Sequence, residues 1–184
     1  LYVIASIILS LSLLPVVTTT VPAPSISEPH PFSFAKLFKI SPLGVFGCAT
    51  CGLTTAAFYS LAPVFAKSVG LELKQISFLM AATISGGFAT QWPTGVISDH
   101  CDRRKVLLVI SIATFISALA VVLIPSSMFI LLLFSSVLFG GAMFVIYPVS
   151  IAHANDFIPP DDVVPASGGL ILAYSVGAIA GPIF

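Results

Sequence analysis

Residues 95–105 read GVISDHCDRRK and lie between two long apolar runs. The whole chain carries seven basic and seven acidic side chains, and five of them fall within Asp99–Lys105. If both flanking runs are helices, Asp99 stands at the negative end of one dipole and Arg103, Arg104 and Lys105 at the positive end of the next. Each such placement is unfavourable by a few tenths to about 1 kcal/mol. Asp102 is suited to cap the second helix, and clustered Lys and Arg mark a cytoplasmic loop between membrane spans. Neither rule explains Asp99. It requires a compensating partner: Arg103, Arg104, or the positive end of another helix.

The composition around this loop sets the broad class. Apolar residues make up 58% and charged residues 8% of 184 residues, with a mean hydropathy of +1.13. Soluble domains carry about a quarter charged residues, so this chain lacks the means to cover itself with a polar surface. The expectation is an all-α, polytopic integral membrane protein in a lipid bilayer, with about six spans of roughly 20 residues each. Zero net charge gives no footprint for nucleic acid. Cys48 and Cys51 lie three apart in an apolar run and read as small packing residues rather than redox or metal ligands. No cofactor is expected.

Outward from the loop, the expected spans are Leu1–Val17, Pro42–Ala66, Ile76–Ser98, Val106–Ile124, Met128–Ala152 and one beginning near Ala166. Four prolines within residues 18–33 (Pro22, Pro24, Pro29, Pro31) forbid a continuous helix and mark a linker. Phe34, Leu37 and Phe38 share one helical face opposite Lys36 and Lys39. That segment reads either as a helix in the headgroup plane or as a basic flank. Gly44, Cys48, Gly52 and Ala56 form a small-residue stripe for close helix approach. Thr83, Gly87, Thr90, Thr94 and Ser98 form a polar stripe that should face protein or a water-filled path. The Val106–Ile124 span, with only isolated serines and threonines, is expected to be the outer, lipid-facing helix. Both termini fall within apolar runs, which predicts an internal piece of a larger protein. With the first span ending inside, Lys36, Lys39, Arg103, Arg104 and Lys105 are cytoplasmic, and Lys67 and Lys74 lie on the opposite side.

At Gly95, Ile97, Ser98, Asp99, Arg103, Arg104 and Leu107 the loop resembles the conserved cytoplasmic loop of the major facilitator superfamily, with His100 in place of an Arg and Asp102 in place of a Gly. Gly168, Gly177 and Gly181-Pro182 match that family's G-x8-G-x3-G-P pattern. The text YPVSIAHAND is similar to a bacterial subgroup. The resemblance implies the C-terminal half of a bacterial transporter. Residues 1–17 would end the sixth helix, 18–41 form the central cytoplasmic linker, and 42–184 supply helices seven to eleven. It implies secondary active transport of a small solute by alternating access against an N-terminal half, with proton-coupled antiport or export as one form, in the bacterial inner membrane. Asp99, Arg103 and Arg104 with Gly95 would form a gating loop. Gly168, Gly177, Gly181 and Pro182 would form a helix-packing motif. No catalytic residue is expected.

Tyr59, Gln91, Tyr147 and Tyr174 are candidates to line the substrate path, with interhelical hydrogen bonding as the equal alternative. His153 is the one ionisable candidate for a functional role in the spans, and a solvated helix-end histidine is the commoner reading. Trp92 reads as an interfacial anchor. His153, Asp156, Asp161 and Asp162 suggest a metal site only weakly, because their spacing is irregular, and a solvated loop is expected. An integral-membrane enzyme of phosphoryl transfer, with Asp99 and Asp102 on Mg²⁺, and a non-transporting scaffold are the alternative classes.

Overall fold

A computed structural model describes residues 2–19 and 33–183, and these are all-helical. The proline-rich stretch expected to be extended lies almost wholly outside the described residues. The helices are α1 (Tyr2–Ser12), α2 (Leu14–Val17), α3 (Phe34–Ile40), α4 (Pro42–Ser68), α5 (Leu73–His100), α6 (Arg103–Leu123), α7 (Phe129–Met143), α8 (Ile146–Asn155) and α9 (Val163–Ala180).

Among the described residues four segments are long and apolar enough to cross a membrane: Pro42–Ser68, Arg103–Leu123, Ser126–Asn155 and Pro160–Ile183. Two expected spans are not among them. The Leu1–Val17 run does not form one helix: Leu13 N–H bonds Ser10 O in a tight turn, and Pro15 has no N–H for the Leu11 carbonyl. The Ile76–Ser98 run does form a helix, the 28-residue α5, but is not among the four apolar segments. Gln91, Pro93 and its polar stripe dilute its hydrophobicity. The fifth expected span is long enough but divides between α7 and α8, because Pro148 cannot donate to the Phe144 carbonyl. The last helix starts at Val163, with Pro165 tolerated in its first turn.

Two long seams organise the bundle. In the first, α4 runs along α9. A Cβ on Gly52 would strike the Tyr174 carbonyl oxygen, one on Gly177 the Ala49 carbonyl oxygen, and one on Gly181 the Leu53 carbonyl oxygen. In the second, α5 runs along α7, where Gly86 faces the Val137 carbonyl and Gly140 the Thr83 carbonyl. Backbone meets backbone at both, which is how helices associate where lipid removes the hydrophobic driving force. Thr90 Oγ1 donates to Gly141 O across the second seam at 2.7 Å. The α5 stripe thus faces protein at Thr83, Gly87 and Thr90. Helix α6 lays Val106, Leu107, Ile110, Thr114 and Ser117 against α7 and α8 and turns Leu108, Phe115 and Val122 outward.

The short α3 packs on the bundle through one residue of its apolar face. Leu37 is fully buried against Ala154, Ile158, Ala166 and Leu170, while Phe34 and Phe38 remain 41% exposed. Ser41 then caps α4 by accepting from Gly44 N at 3.3 Å. Helix α3, the α5–α6 loop and the α8–α9 loop therefore meet at one end, joined by the Lys36–Asp162 and Arg103–Asp156 pairs.

Candidate functional site

At that end three charges stand where their own helices disfavour them. Asp99 is in the last turn of α5, Asp156 is the C-cap of α8, and Arg103 is the first residue of α6. Anions at C-termini and a cation at an N-terminus each oppose the local dipole. The structure brings the three together. Arg103 Nη2 donates to Asp99 Oδ1 at 3.0 Å, and Arg103 Nε pairs with Asp156 Oδ2 at 2.9 Å. Its Nη1 reaches Ser98 Oγ at 3.4 Å. One planar guanidinium with several donors in fixed directions thus serves two carboxylates from different helices, which a lysine would do poorly.

Its neighbours divide the work. Asp102 caps α6 by accepting from Arg104 N at 3.0 Å. Arg104 lies over the Phe157 ring, 5.8 Å from its centroid, so the partner of Asp99 is Arg103 rather than Arg104. The sidedness matters: the Arg103 side chain is 20% exposed, Asp156 45% and Asp99 64%. Asp99 keeps most of its surface available while Arg103 holds one oxygen. Partly exposed pairs of this kind contribute about 1 kcal/mol or less each. An open cleft of about 470 Å³ runs over the site between Cys101, Asp102, His153 and Phe157. A smaller one of about 210 Å³ leads from Gln91 and Gly95 to Asp99 and Arg103.

One expectation changes. His153 is not a solvated helix-end residue: it is 4% exposed and packs edge-on against Phe157 at 5.1 Å. Among the described residues the four path candidates stand at separate places. Tyr59 is 48% exposed and packs on Phe58 and Phe144, whereas Gln91 faces outward on α5 beside Phe88 and Trp92. Tyr147 and Tyr174 meet edge-on at 5.2 Å between α8 and α9. Trp92 is 79% exposed, beside Phe88 and Pro148. In the packing motif Gly177 and Gly181 lie in the α4–α9 seam and Pro182 in the short turn after it. Gly168 faces nothing within 4 Å, and its neighbour Gly169 is the one that meets Leu37.

Asp156 is the residue the sequence reading missed. Within HANDFIPPDD it looked like part of a solvated acidic loop, and nothing local ties it to Arg103, 53 positions away. The signal was there in another form, since Asp156, like Asp99, is an acidic residue at a helix C-terminus. The weak metal grouping dissolves for the same reason: Asp156 is taken by Arg103 and Asp162 by Lys36 at 2.7 Å. Among the described residues no cluster of three or more potential metal ligands forms.

Comparison with known proteins gives the family that the sequence resembles. The family model described as Major Facilitator Superfamily matches residues 43–184. Proteins described as uncharacterized MFS-type transporter YcaD from Salmonella paratyphi B, Salmonella newport and Salmonella heidelberg are 30% identical over 177 residues, covering 94% of this chain and 44% of theirs. The chain therefore spans a little under half the length of these relatives. No solved structure matches it significantly.

Proposed function

The chain belongs to the major facilitator superfamily, and we propose that it forms the C-terminal half of a secondary transporter that moves a small solute across the bacterial inner membrane. In this assignment α4 to α9 supply helices seven to eleven of the family layout, with α7 and α8 together making the tenth. Transport then proceeds by rocking of this half against an N-terminal half.

The observation that carries the mechanism is the Arg103 guanidinium held between Asp99 and Asp156. Arg103 fixes the orientation of Asp99 without covering it, so Asp99 presents charge to the facing half. That contact closes the cytoplasmic side in the outward-facing state and separates as the halves rock. Because Asp99 is 64% exposed, its contact with the facing half is worth about 1 kcal/mol or less, weak enough to break in every cycle. The solute and any coupled proton would pass between the halves, and charged residues of the N-terminal half would supply the coupling. A phosphoryl-transfer site on Asp99 and Asp102 is less favoured, because a guanidinium and a backbone N–H already occupy an oxygen of each.

The test is reconstitution of the full-length transporter in vesicles carrying a proton gradient and offered a mixed pool of metabolites and cationic dyes. Gradient-dependent accumulation or depletion of at least one solute is expected. Identical solute profiles with and without the protein, across both gradient directions, would contradict transport.

A further inference from the structure

The latch has a second support that neither motif supplies. Asp156 sits between Ala154 and Ile158, which are 0% and 6% exposed. Both pack in the same cluster as Leu37 of α3, a fully buried residue from a different part of the chain. A Cβ on Gly169 would come within 2.7 Å of Leu37 Cδ2, so α9 leaves space there for the leucine and little else. Six residues beyond Asp156, Asp162 is clamped by Lys36 Nζ at 2.7 Å, with Asp162 only 15% exposed. The loop that carries Asp156 is therefore fixed on both sides of that residue, and α3 contributes to each fixation.

We infer that α3 is a strap that positions Asp156 for Arg103, with Leu37 and Lys36 as positioning residues. The inference rests on the latch reading for its consequence in transport, but its geometric content stands apart from it. Ala154 and Ile158 pack in one cluster with Leu37, so truncating Leu37 would leave a cavity beneath the loop that carries the Asp156 carboxylate. Loss of the Lys36 charge releases the far end of the loop. Displacement of α3 would then loosen the Arg103–Asp156 arm without touching either residue.

The strap is tested in the full-length transporter by measuring the distance distribution between spin labels on native Cys101 and on Asp161→Cys, both exposed, with Cys48 and Cys51 replaced by Ala. Lys36→Asp should broaden the distribution at least twofold, and Lys36→Asp combined with Asp162→Lys should return it to the original width. Leu37→Ala should broaden it as well. If that variant does not reach the membrane, the Lys36–Asp162 exchange decides alone. An unchanged width in Lys36→Asp, no recovery in the exchanged pair, or equal broadening by the remote control Lys67→Asp would overturn the strap. None of these readings depends on transport. Failure of the latch is read separately, as normal transport by Arg103→Gln alongside an intact strap signal.

Discussion

The α4–α9 seam and the charged end, where α5, α6 and α8 meet, hold one bundle together by opposite means. In the seam, Gly52, Gly177 and Gly181 let backbones meet so closely that no side chain fits between them. At the charged end, Asp99, Arg103 and Asp156 meet through side chains 64%, 20% and 45% exposed, which water can replace. The first arrangement has one geometry and a steep penalty for leaving it, whereas the second exchanges protein partners for solvent at small net change. Under the proposed rocking mechanism, a half that moves as one rigid body and opens and closes at one end uses both.

The largest expected effect lies in the seam. Gly177→Leu would drive a side chain into the Ala49 carbonyl. Overpacking of this kind costs about 3 kcal/mol or more where backbone rather than a flexible side chain is struck. The full-length protein should lose its monodisperse peak in detergent, whereas Gly168→Leu, which faces nothing within 4 Å, should keep it. A Gly177→Leu protein as stable as the parent would mean that the seam is not rigid.

Arg103→Gln comes next, because it strands two carboxylates at once. With two arms of about 1 kcal/mol each, the conformational equilibrium should shift by roughly thirtyfold at most. The readout is faster thiol labelling of Cys101 from the cytoplasmic side, at unchanged membrane level. Labelling of Cys101 by an impermeant reagent outside intact cells would reverse the orientation altogether. The smallest effect is Thr90→Val, which removes the 2.7 Å bond to Gly141 O while keeping the shape. A loss of about 1 kcal/mol in unfolding free energy is expected, with no change in Cys101 labelling. A labelling change would show that the α5–α7 seam moves.

Much of this contrast was legible in the sequence, and the reason is physical. Glycines four apart in an apolar run have few uses other than close approach, so Gly177 and Gly181 announced a seam. Asp99 at the wrong end of a helix announced a missing partner, and Arg103 was one of the two local choices. What stayed hidden depended on long-range packing. Asp156 belongs to a loop whose composition suggests solvent, and its capture by Arg103 follows only once α6 lies against α8. The burial of His153 and of Leu37 stayed hidden for the same reason: sequence position and periodicity show which residues share a face or end a helix, not what that face meets. Pro15 and Pro148 were visible as breakers, yet where each run divides depended on which carbonyl lost its donor.

Transport by Asp99→Asn, at expression matched to the parent, tests the central claim most directly, using the solute that the vesicle assay identifies. The substitution keeps the shape and removes the charge, and it leaves the Arg103–Asp156 arm in place. Folded protein should be unchanged, and the transport rate should fall about two- to fivefold, as expected for one half-exposed arm near 1 kcal/mol. A rate equal to the parent's, with the protein folded and in the membrane, would reduce Asp99 to a marker of the helix end and contradict the latch.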